Sequence, residues 1–299
     1  MRKNYFLLLL SFVLSANVFG QSTPLLSVNV PNPLPACNAG DCTDLYAVYN
    51  QPKQTTSYVS APITYNPTFP FTGGTLLDAS ADDVWSPVVN LPFNFSFYGV
   101  TYNKVIVGSN GVISFDIANA GGFCPWNYAG GIPNAASPIR NAIFGVYQDT
   151  DIRNPPVANP LVQNVNYYVL DTGVNAAPNR VFVANWNALP QYSAACNSSL
   201  QTSQIAIHEG SNAIDIIVKD RVCCSGWNSG NGIIGTINAA GTMATSPLTR
   251  NGGCWSSANE AYSFTPNGLP VPAVLKWEKA GAPIGVPDEN PLNVCPGTT

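Results

Sequence analysis

The strongest constraint on the fold is an alternation of aromatic and polar residues with a period of two. In residues 91–98, Phe93, Phe95 and Phe97 are separated by single polar residues, and Gly99 follows the last aromatic pair. Successive side chains of a β-strand point to opposite faces of the sheet. The pattern therefore predicts a half-buried strand that ends at Gly99.

The next segment is typical of a β-hairpin. Residues 104–116 contain two apolar, β-branched arms around Asn110 and Gly111. An Asn-Gly pair favours a type I′ turn, in which both central residues have positive φ, so we expect that turn here. Further strands are predicted at residues 141–147, 165–170, 180–186, 232–237 and 261–264.

A second long hairpin is predicted around the single histidine of the chain. Residues 203–219 form two apolar arms about a turn at residues 210–212, and His208 falls on the face opposite Ile205 and Ile207. We therefore expect His208 to point to solvent. Catalysis of the Ser-His-Asp or Cys-His kind would depend on this residue, and the chain has no Gly-x-Ser-x-Gly elbow.

The fold class follows from these segments together. No window of twelve residues has a capped apolar stripe with the helical period of 3.6, whereas many short strands are joined by Gly, Pro and Asn turns. These features predict an all-β, disulfide-braced β-sandwich. The chain is not expected to be an enzyme, although a glycosidase needs only two carboxylates, which counting residues does not exclude.

The N-terminus has the order of a secretory signal peptide. Arg2 and Lys3 precede an apolar run at residues 5–13, and small residues lead to Gly20. A bilayer requires roughly twenty apolar residues, so a membrane anchor is the weaker interpretation. We expect a cleaved signal at residues 1–20 and a secreted, extracellular protein without membrane insertion.

The composition agrees with an exported protein that does not bind nucleic acid. Only 9% of the residues are charged, and the net charge of the full chain is −4. A weakly acidic surface is a poor partner for nucleic acid and for anionic membranes.

Proline-rich stretches divide the chain into segments. The expected organisation is a signal peptide at residues 1–20, a linker or lead-in strand at 21–36, a β-sandwich at 37–266, and at 267–299 a Pro-rich linker with the start of an immunoglobulin-like module that is cut short.

Eight cysteines in an exported chain favour disulfides over metal or redox chemistry. Cys37 and Cys42 bracket a short turn, so we expect a local disulfide between them, with free or distantly paired thiols as the alternative. The chain has no Cys-x-x-Cys pair with suitably spaced histidines, and this argues against a zinc site.

A second disulfide is expected at the base of the second hairpin. Cys196 precedes that hairpin, and Cys223 and Cys224 follow it, so Cys196 can reach either of the two. The adjacent cysteine that is left over can reach Cys124 or Cys254. The sequence does not decide between these connectivities.

Three segments resemble nidogen-like extracellular domains. In that family a strand of the form Pro-Phe-x-Phe-x-Phe-Phe/Tyr-Gly precedes Asn-Gly-x-(Ile/Leu)-x-Phe, and residues 91–99 and 107–115 have both patterns. Residues 143–151 lie where the family has an apolar strand that ends in Asp-x-Asp. The resemblance implies a nidogen-like β-sandwich and assigns no catalytic residues.

A closer resemblance is to surface proteins of gliding Bacteroidota that are exported by type IX secretion. Segments similar to residues 124–126, 224–228 and 259–266 recur in those proteins before immunoglobulin-like repeats. This resemblance implies a cell-surface protein associated with gliding motility.

Two acidic segments are candidates for a calcium site. Asp149 and Asp151 end an apolar strand and are separated by one residue, so their carboxylates can share a hard cation. Asp78, Asp82 and Asp83 form a second acidic loop. The alternative is that these side chains only cap turns, and no other cofactor is expected.

The aromatic residues of the Gly- and Asn-rich loops are the remaining candidates for binding. Exposed Trp and Tyr side chains stack on sugars or anchor protein partners, whereas core packing is the alternative. We predict a secreted or cell-surface adhesion or matrix-binding module whose partner is an extracellular protein or glycan. The alternatives are a lectin-like glycan-binding domain and a structural spacer of a larger surface fibre. The residues concerned are Trp85, Trp126, Trp186, Trp227, Trp255, Tyr98, Tyr102, Tyr128, Tyr147 and Tyr192.

Overall fold

The computed structural model describes residues 25–29, 42–78, 81–127, 130–153, 164–279 and 282–294. The expected signal peptide, Cys37 and Cys295 lie outside these residues, so the Cys37–Cys42 disulfide stays a prediction. Short 3-10 helices occur at Ile117–Asn119, Gly173–Asn175 and Asn228–Gly230. The strands are β1 (Leu26–Asn29), β2 (Thr43–Tyr49), β3 (Tyr58–Pro62), β4 (Thr75–Leu76), β5 (Val89–Phe97), β6 (Val100–Gly108), β7 (Val112–Ser114), β8 (Ala142–Tyr147), β9 (Asn164–Leu170), β10 (Val181–Pro190), β11 (Leu200–His208), β12 (Ile214–Arg221), β13 (Asn231–Ile237), β14 (Ala244–Thr245), β15 (Asn251–Cys254), β16 (Ser257–Pro266), β17 (Trp277–Lys279), β18 (Ala282–Ile284) and β19 (Leu292–Val294).

Two large antiparallel sheets form a sandwich, which confirms the predicted all-β class. The first sheet has the order β3-β16-β12-β11-β10-β9-β4. The second has the order β14-β13-β8-β7-β6-β5, and β15 also pairs with β13. No helix in the described part of the chain is long and apolar enough to span a membrane.

The main core lies between the two sheets. Strand β5 buries Phe93, Phe95 and Phe97 and leaves Asn94 exposed and Ser96 partly exposed between them, as the period-two alternation predicts. These rings pack in one cluster with Trp186 of β10 and Phe264 of β16, both fully buried. Burying one such side chain contributes about 1.5–3 kcal/mol, so this interior supplies the principal driving force for joining the sheets.

Loops also cover the outer face of each sheet. On the second sheet, Trp85 and Ile132 pack with Ile106 and Phe144 in a separate buried cluster. On the first sheet, Phe69 packs against residues of β10 and β11. Each large sheet is therefore buried on both faces over part of its area.

His208 is buried under this outer cover, so the expectation that it points to solvent is wrong. It is 9% exposed, its ring lies 6.4 Å from that of Phe69, and its Nε2 lies 3.0 Å from Oδ2 of Asp215. The alternation of β11 correctly separates the two faces of the strand. It does not show that a distant loop covers the second face.

Three side-chain amides, one each on β9, β10 and β11, bind the loop that carries Phe69 and Phe71 to the first sheet. Gln204 donates to Oδ1 of Asn185 over 2.8 Å, and Asn185 donates to Oδ1 of Asn166 over 2.8 Å. Gln204 and Asn166 also donate to the carbonyls of Phe69 (3.2 Å) and Phe71 (2.9 Å). The buried face of this sheet is therefore polar at these positions, and each of the three amides donates to a partner inside the protein.

The turn between β6 and β7 differs from the expected type I′ turn. Gly108 pairs with Val112, so three residues form the loop, and of these Gly111 has a positive φ (+79°) while Asn110 does not. The side chain of Asn110 is fully buried. It donates to the Asp83 carboxylate over 2.8 Å and accepts the backbone N–H of Thr150 over 3.0 Å, and these bonds determine its conformation.

The two ends of the described chain meet in a third, smaller sheet. Strand β2 pairs with β1 on one side and with β19 on the other, and Asn290 makes two hydrogen bonds with the backbone of Ala47. Strands β17 and β18 form a separate hairpin. The expected domain boundaries at residues 37, 266 and 267 stay predictions.

Replacing Gly111 by alanine is expected to destabilise the fold far more than replacing Gly99. Both glycines have positive φ, where an L-residue costs about 1–2 kcal/mol. A Cβ at Gly111 would also lie 2.0 Å from the Val146 carbonyl oxygen, whereas one at Gly99 would meet nothing within 4 Å. Urea unfolding should give a loss of about 1 kcal/mol for Gly99→Ala and about 3 kcal/mol or more for Gly111→Ala. Equal losses would contradict the described packing of this turn.

Candidate functional site

Loops that follow β8, β10 and β12 meet and form the candidate site, which we call the loop cluster. The segments after these strands carry Gln148 and Asp149, Tyr192, and Trp227 respectively. The loop cluster has two parts. Its aromatic wall consists of Trp126, Tyr192 and Trp227, and its polar group consists of Asp82, Asp83, Gln148, Asp149 and Asp151.

The aromatic wall is centred on Trp227. Its ring centroid lies 5.5 Å from that of Trp126 and 4.9 Å from that of Tyr192, with interplanar angles of 40° and 51°. All three rings are partly exposed. The indole Nε1 of Trp227 donates to Oδ2 of Asp149 over 2.6 Å, so the central ring is held in one orientation. Of the other tryptophans named above, Trp85, Trp186 and Trp255 are buried in the core.

Two disulfides brace the loop that carries Trp227. Cys196 bonds to Cys224, and Cys223 bonds to Cys254. Of the two partners that the sequence left open for Cys196, the structure has Cys224. The loop after β12 is therefore tied both to the loop after β10 and to the end of β15.

Cys124 is not in a disulfide, so its place among the expected disulfide cysteines is wrong. It is a free, fully buried thiol in the outer core of the second sheet, and burial raises the pKa of this thiol. Its sulfur is packed near Gly108, where an added Cβ would lie 2.6 Å from it. The cysteine left over from the adjacent pair, Cys223, bonds to Cys254, the other partner that the sequence left open.

A buried guanidinium supports the polar side of the loop cluster. Arg221 is 1% exposed and donates to Oε1 of Gln148 over 2.8 Å and to the carbonyls of Gly230 (2.8 Å) and Trp255. Its carbon Cζ lies 4.0 Å from the Trp255 ring centroid. Burial lowers the pKa of Arg221 to about 9. These contacts fix Gln148 in place next to Asp149.

Arg153 balances part of the acidic charge. It donates to Oδ2 of Asp82 over 2.9 Å and to both carboxylate oxygens of Asp151 over 3.0 and 3.2 Å. Burial would raise the pKa of Asp151, but the hydrogen bonds from Arg153 outweigh it, and the pKa lies below its usual value. Burial and the neighbouring aspartates raise the pKa of Asp82 to about 7.

Asp149 has a raised pKa for a similar reason. Burial is the main cause and outweighs the hydrogen bond from Trp227, while Asp83 and Asp151 add repulsion, so the pKa is about 7. Burial also raises the pKa of Asp83, and the hydrogen bond from Asn110 opposes this shift. Ionisation of Asp82, Asp83 and Asp149 therefore costs more free energy in the folded protein than in water.

Two polar atoms of the cluster, on consecutive residues of the chain, have no hydrogen-bond partner. Gln148 and Asp149 are each 5% exposed, and neither Nε2 of Gln148 nor Oδ1 of Asp149 is hydrogen-bonded. Both residues line a narrow depression together with Tyr192 and Trp227. Its volume of about 10 Å³ is enough for a single water-sized group.

The calcium site expected at Asp149 and Asp151 stays a prediction. In the structure Asp151 is occupied by Arg153, and Asp149 is bonded to Trp227. Among the described residues, no group of three or more His, Cys, Asp or Glu side chains is arranged to hold a metal ion. Asp82 and Asp83 of the second acidic loop lie in the same region, since Asp82 is bonded to Arg153 and Asp83 interacts with Asp149.

Reduction of the disulfides is expected to destabilise the protein. The bonded cysteines are 28 and 31 residues apart, and closing a loop of this size stabilises a fold by about 3 kcal/mol. The melting temperature should therefore fall by roughly 6 °C or more on reduction. Identical melting curves, with both disulfides verified by mass spectrometry in the oxidised sample, would contradict this.

Stability is expected to fall as the pH rises from about 5 to 8. A carboxyl group whose pKa is raised in the folded state binds more protons there than in the unfolded state, so ionisation between the two pKa values disfavours folding. Asp82 and Asp149, with folded pKa values of about 7, both contribute. The variant Asp149→Asn should be more stable than the wild type at pH 8 by at least about 1 kcal/mol. The exposed Asp171→Asn is the matched control, and an equal effect of both changes would refute the assignment.

Residues 57–266 match the family model described as NIDO related, and this range contains every strand of both large sheets and the whole loop cluster. No curated protein and no solved structure matches the chain significantly. Because the family model covers well over half of the sequence, the chain belongs to the NIDO-related family.

Proposed function

We propose that this protein is an extracellular adhesion or matrix-binding module that acts without catalysis. The observation that carries the proposal is the loop cluster, in which three partly exposed aromatic rings stand beside polar atoms without partners. Clustered aromatic side chains on a rigid frame are typical of binding surfaces. Two disulfides provide that frame.

Several features support an extracellular location. The family is NIDO related, the disulfides are of a kind that persists in oxidising compartments, and the N-terminal sequence has the order of a signal peptide. Attachment to the surface of a gliding bacterium after type IX export is part of this proposal and rests on the sequence resemblance alone.

The environments of the candidate catalytic groups support a binding role. His208 lies under the loop of Phe69 with Asp215 as its partner. Glu209 is bonded to Arg180, and Glu260 to Arg250. Each of these side chains therefore has a structural partner that explains its position.

Glycan binding is a second candidate, and one observation favours it. Two residues of the aromatic wall, Tyr192 and Trp227, line the same depression as Gln148 and Asp149. Binding sites for small polar ligands combine such aromatic surfaces with a few placed polar groups. A structural spacer would require neither.

Adhesion can be tested with beads that carry the oxidised protein on a layer of bacterial extracellular matrix. Wild-type beads should adhere at least fivefold more than beads carrying Trp126→Ala/Tyr192→Ala, because the double variant removes two of the three rings of the wall. Tyr46→Ala is the matched control, since Tyr46 is a partly exposed aromatic (49%) on the separate sheet of β2.

The same experiment separates the partner classes and tests for catalysis. Protease treatment of the matrix should abolish adhesion to a protein, and periodate should abolish adhesion to a glycan. Equal adhesion by the double variant and the control would overturn the proposed role of the loop cluster. Release of soluble fragments from untreated matrix over time would overturn the proposal that the protein is not an enzyme.

A further inference from the structure

We infer that the loop cluster binds one neutral pyranose ring of a glycan, stacked on the aromatic wall with one hydroxyl group seated between Gln148 and Asp149. The inference rests on the proposed binding function and specifies its ligand. It is carried by an unsatisfied donor and an unsatisfied acceptor on two residues that line the same depression as Tyr192 and Trp227.

Gln148 and Asp149 each carry a polar atom that is buried without a hydrogen-bond partner. Nε2 of Gln148 is a donor, and Oδ1 of Asp149 is an acceptor. A buried polar group without a hydrogen bond costs about 1–3 kcal/mol, and such groups are rare in folded proteins. A ligand that bonds to both atoms gains this energy.

A hydroxyl group has the chemistry that satisfies both atoms. It accepts one hydrogen bond from the amide and donates one to the carboxylate, whereas an ammonium group only donates and a carboxylate or phosphate only accepts. The depression of about 10 Å³ that both residues line accommodates a single group of this size. The structure therefore selects an alcohol over an ion at this position.

The aromatic wall gives the rest of the ligand its shape. Tyr192 and Trp227 line the same depression, so a molecule that places a hydroxyl there also lies against these rings. A pyranose ring has C–H groups on one face and hydroxyl groups at its rim. The C–H face packs on the partly exposed rings while a rim hydroxyl enters the depression.

The charge of the cluster indicates a neutral sugar. The cluster holds four aspartates against two guanidinium groups, those of Arg153, which is bonded to two of the aspartates, and of Arg221, which is bonded to Gln148. The resulting negative potential repels uronic acids, sialic acids and phosphorylated sugars. The site thus distinguishes neutral from acidic glycans by electrostatics, in addition to stacking.

The geometry is set before the ligand binds. Arg221 holds the oxygen of Gln148, Trp227 holds the other oxygen of Asp149, and the Cys196–Cys224 disulfide closes the loop behind Trp227. A preorganised site loses little conformational entropy on binding.

The test is a titration of the oxidised protein with methyl glycosides, in which binding is monitored through the NMR signals of the tryptophan indole N–H groups. The probes are methyl glycosides of glucose, galactose, mannose and N-acetylglucosamine, with methyl glucuronide as the charged counterpart. At least one neutral glycoside should shift the Trp227 signal with a millimolar dissociation constant. The glucuronide should bind at least tenfold more weakly.

Two conservative variants test the placed hydroxyl. Gln148→Glu keeps an oxygen for Arg221 but replaces the free donor, and Asp149→Asn keeps an oxygen for Trp227 but replaces the free acceptor. Each should weaken binding at least tenfold without lowering the melting temperature at pH 7, which a purely structural role would not produce. Tyr46→Ala should bind as the wild type does.

The outcomes are distinct. No binding by any neutral glycoside up to about 50 mM, equal binding of the glucuronide, or unchanged binding by both variants would each overturn the inference. Adhesion of beads that depends on the aromatic wall but is sensitive to protease and not to periodate would leave the proposed function intact and overturn only the sugar ligand.

Discussion

Asparagine side chains hold the connecting segments of this protein in place. Their amides make the two backbone hydrogen bonds that a neighbouring β-strand would otherwise make. Asn251 makes two hydrogen bonds of 2.7 Å with the backbone N–H and C=O of Ile132. Asn290 does the same with Ala47, and Asn179 with Leu26. A buried backbone group must find a partner, and in a chain with 9% charged residues uncharged amides provide it without the desolvation penalty of an ion.

Strand positions could be predicted from the sequence because they depend on local patterns. The alternation of Phe93, Phe95 and Phe97 identifies β5, and the apolar arms on either side of residues 210–212 identify β11 and β12. What covers the outer face of a sheet depends on loops that are distant in the chain. For that reason the burial of His208 under Phe69, a separation of more than a hundred residues, could not be read from β11 itself.

The candidate site was predictable only in part. Trp126, Trp227 and Asp149 were singled out by residue type, whereas Gln148 and Arg221 were not. The guanidinium of Arg221 meets Gln148 across 73 positions of the chain, and no local pattern signals such a contact. Asn110 shows the same limit, because a turn propensity suggested its conformation and hydrogen bonds to Asp83 and Thr150 decided it.

The buried side chain of Asn110 also affects the chemical lifetime of the protein. An Asn-Gly sequence cyclises to a succinimide when the nitrogen of the glycine attacks the side-chain carbonyl, and the amide is then lost as ammonia. In the folded protein the amide nitrogen of Asn110 is bonded to Asp83 and Cys124 and its oxygen to Thr150, with no exposed surface. Deamidation at this position therefore requires unfolding of the loop. The rate of deamidation in the folded protein consequently reports how often this turn opens.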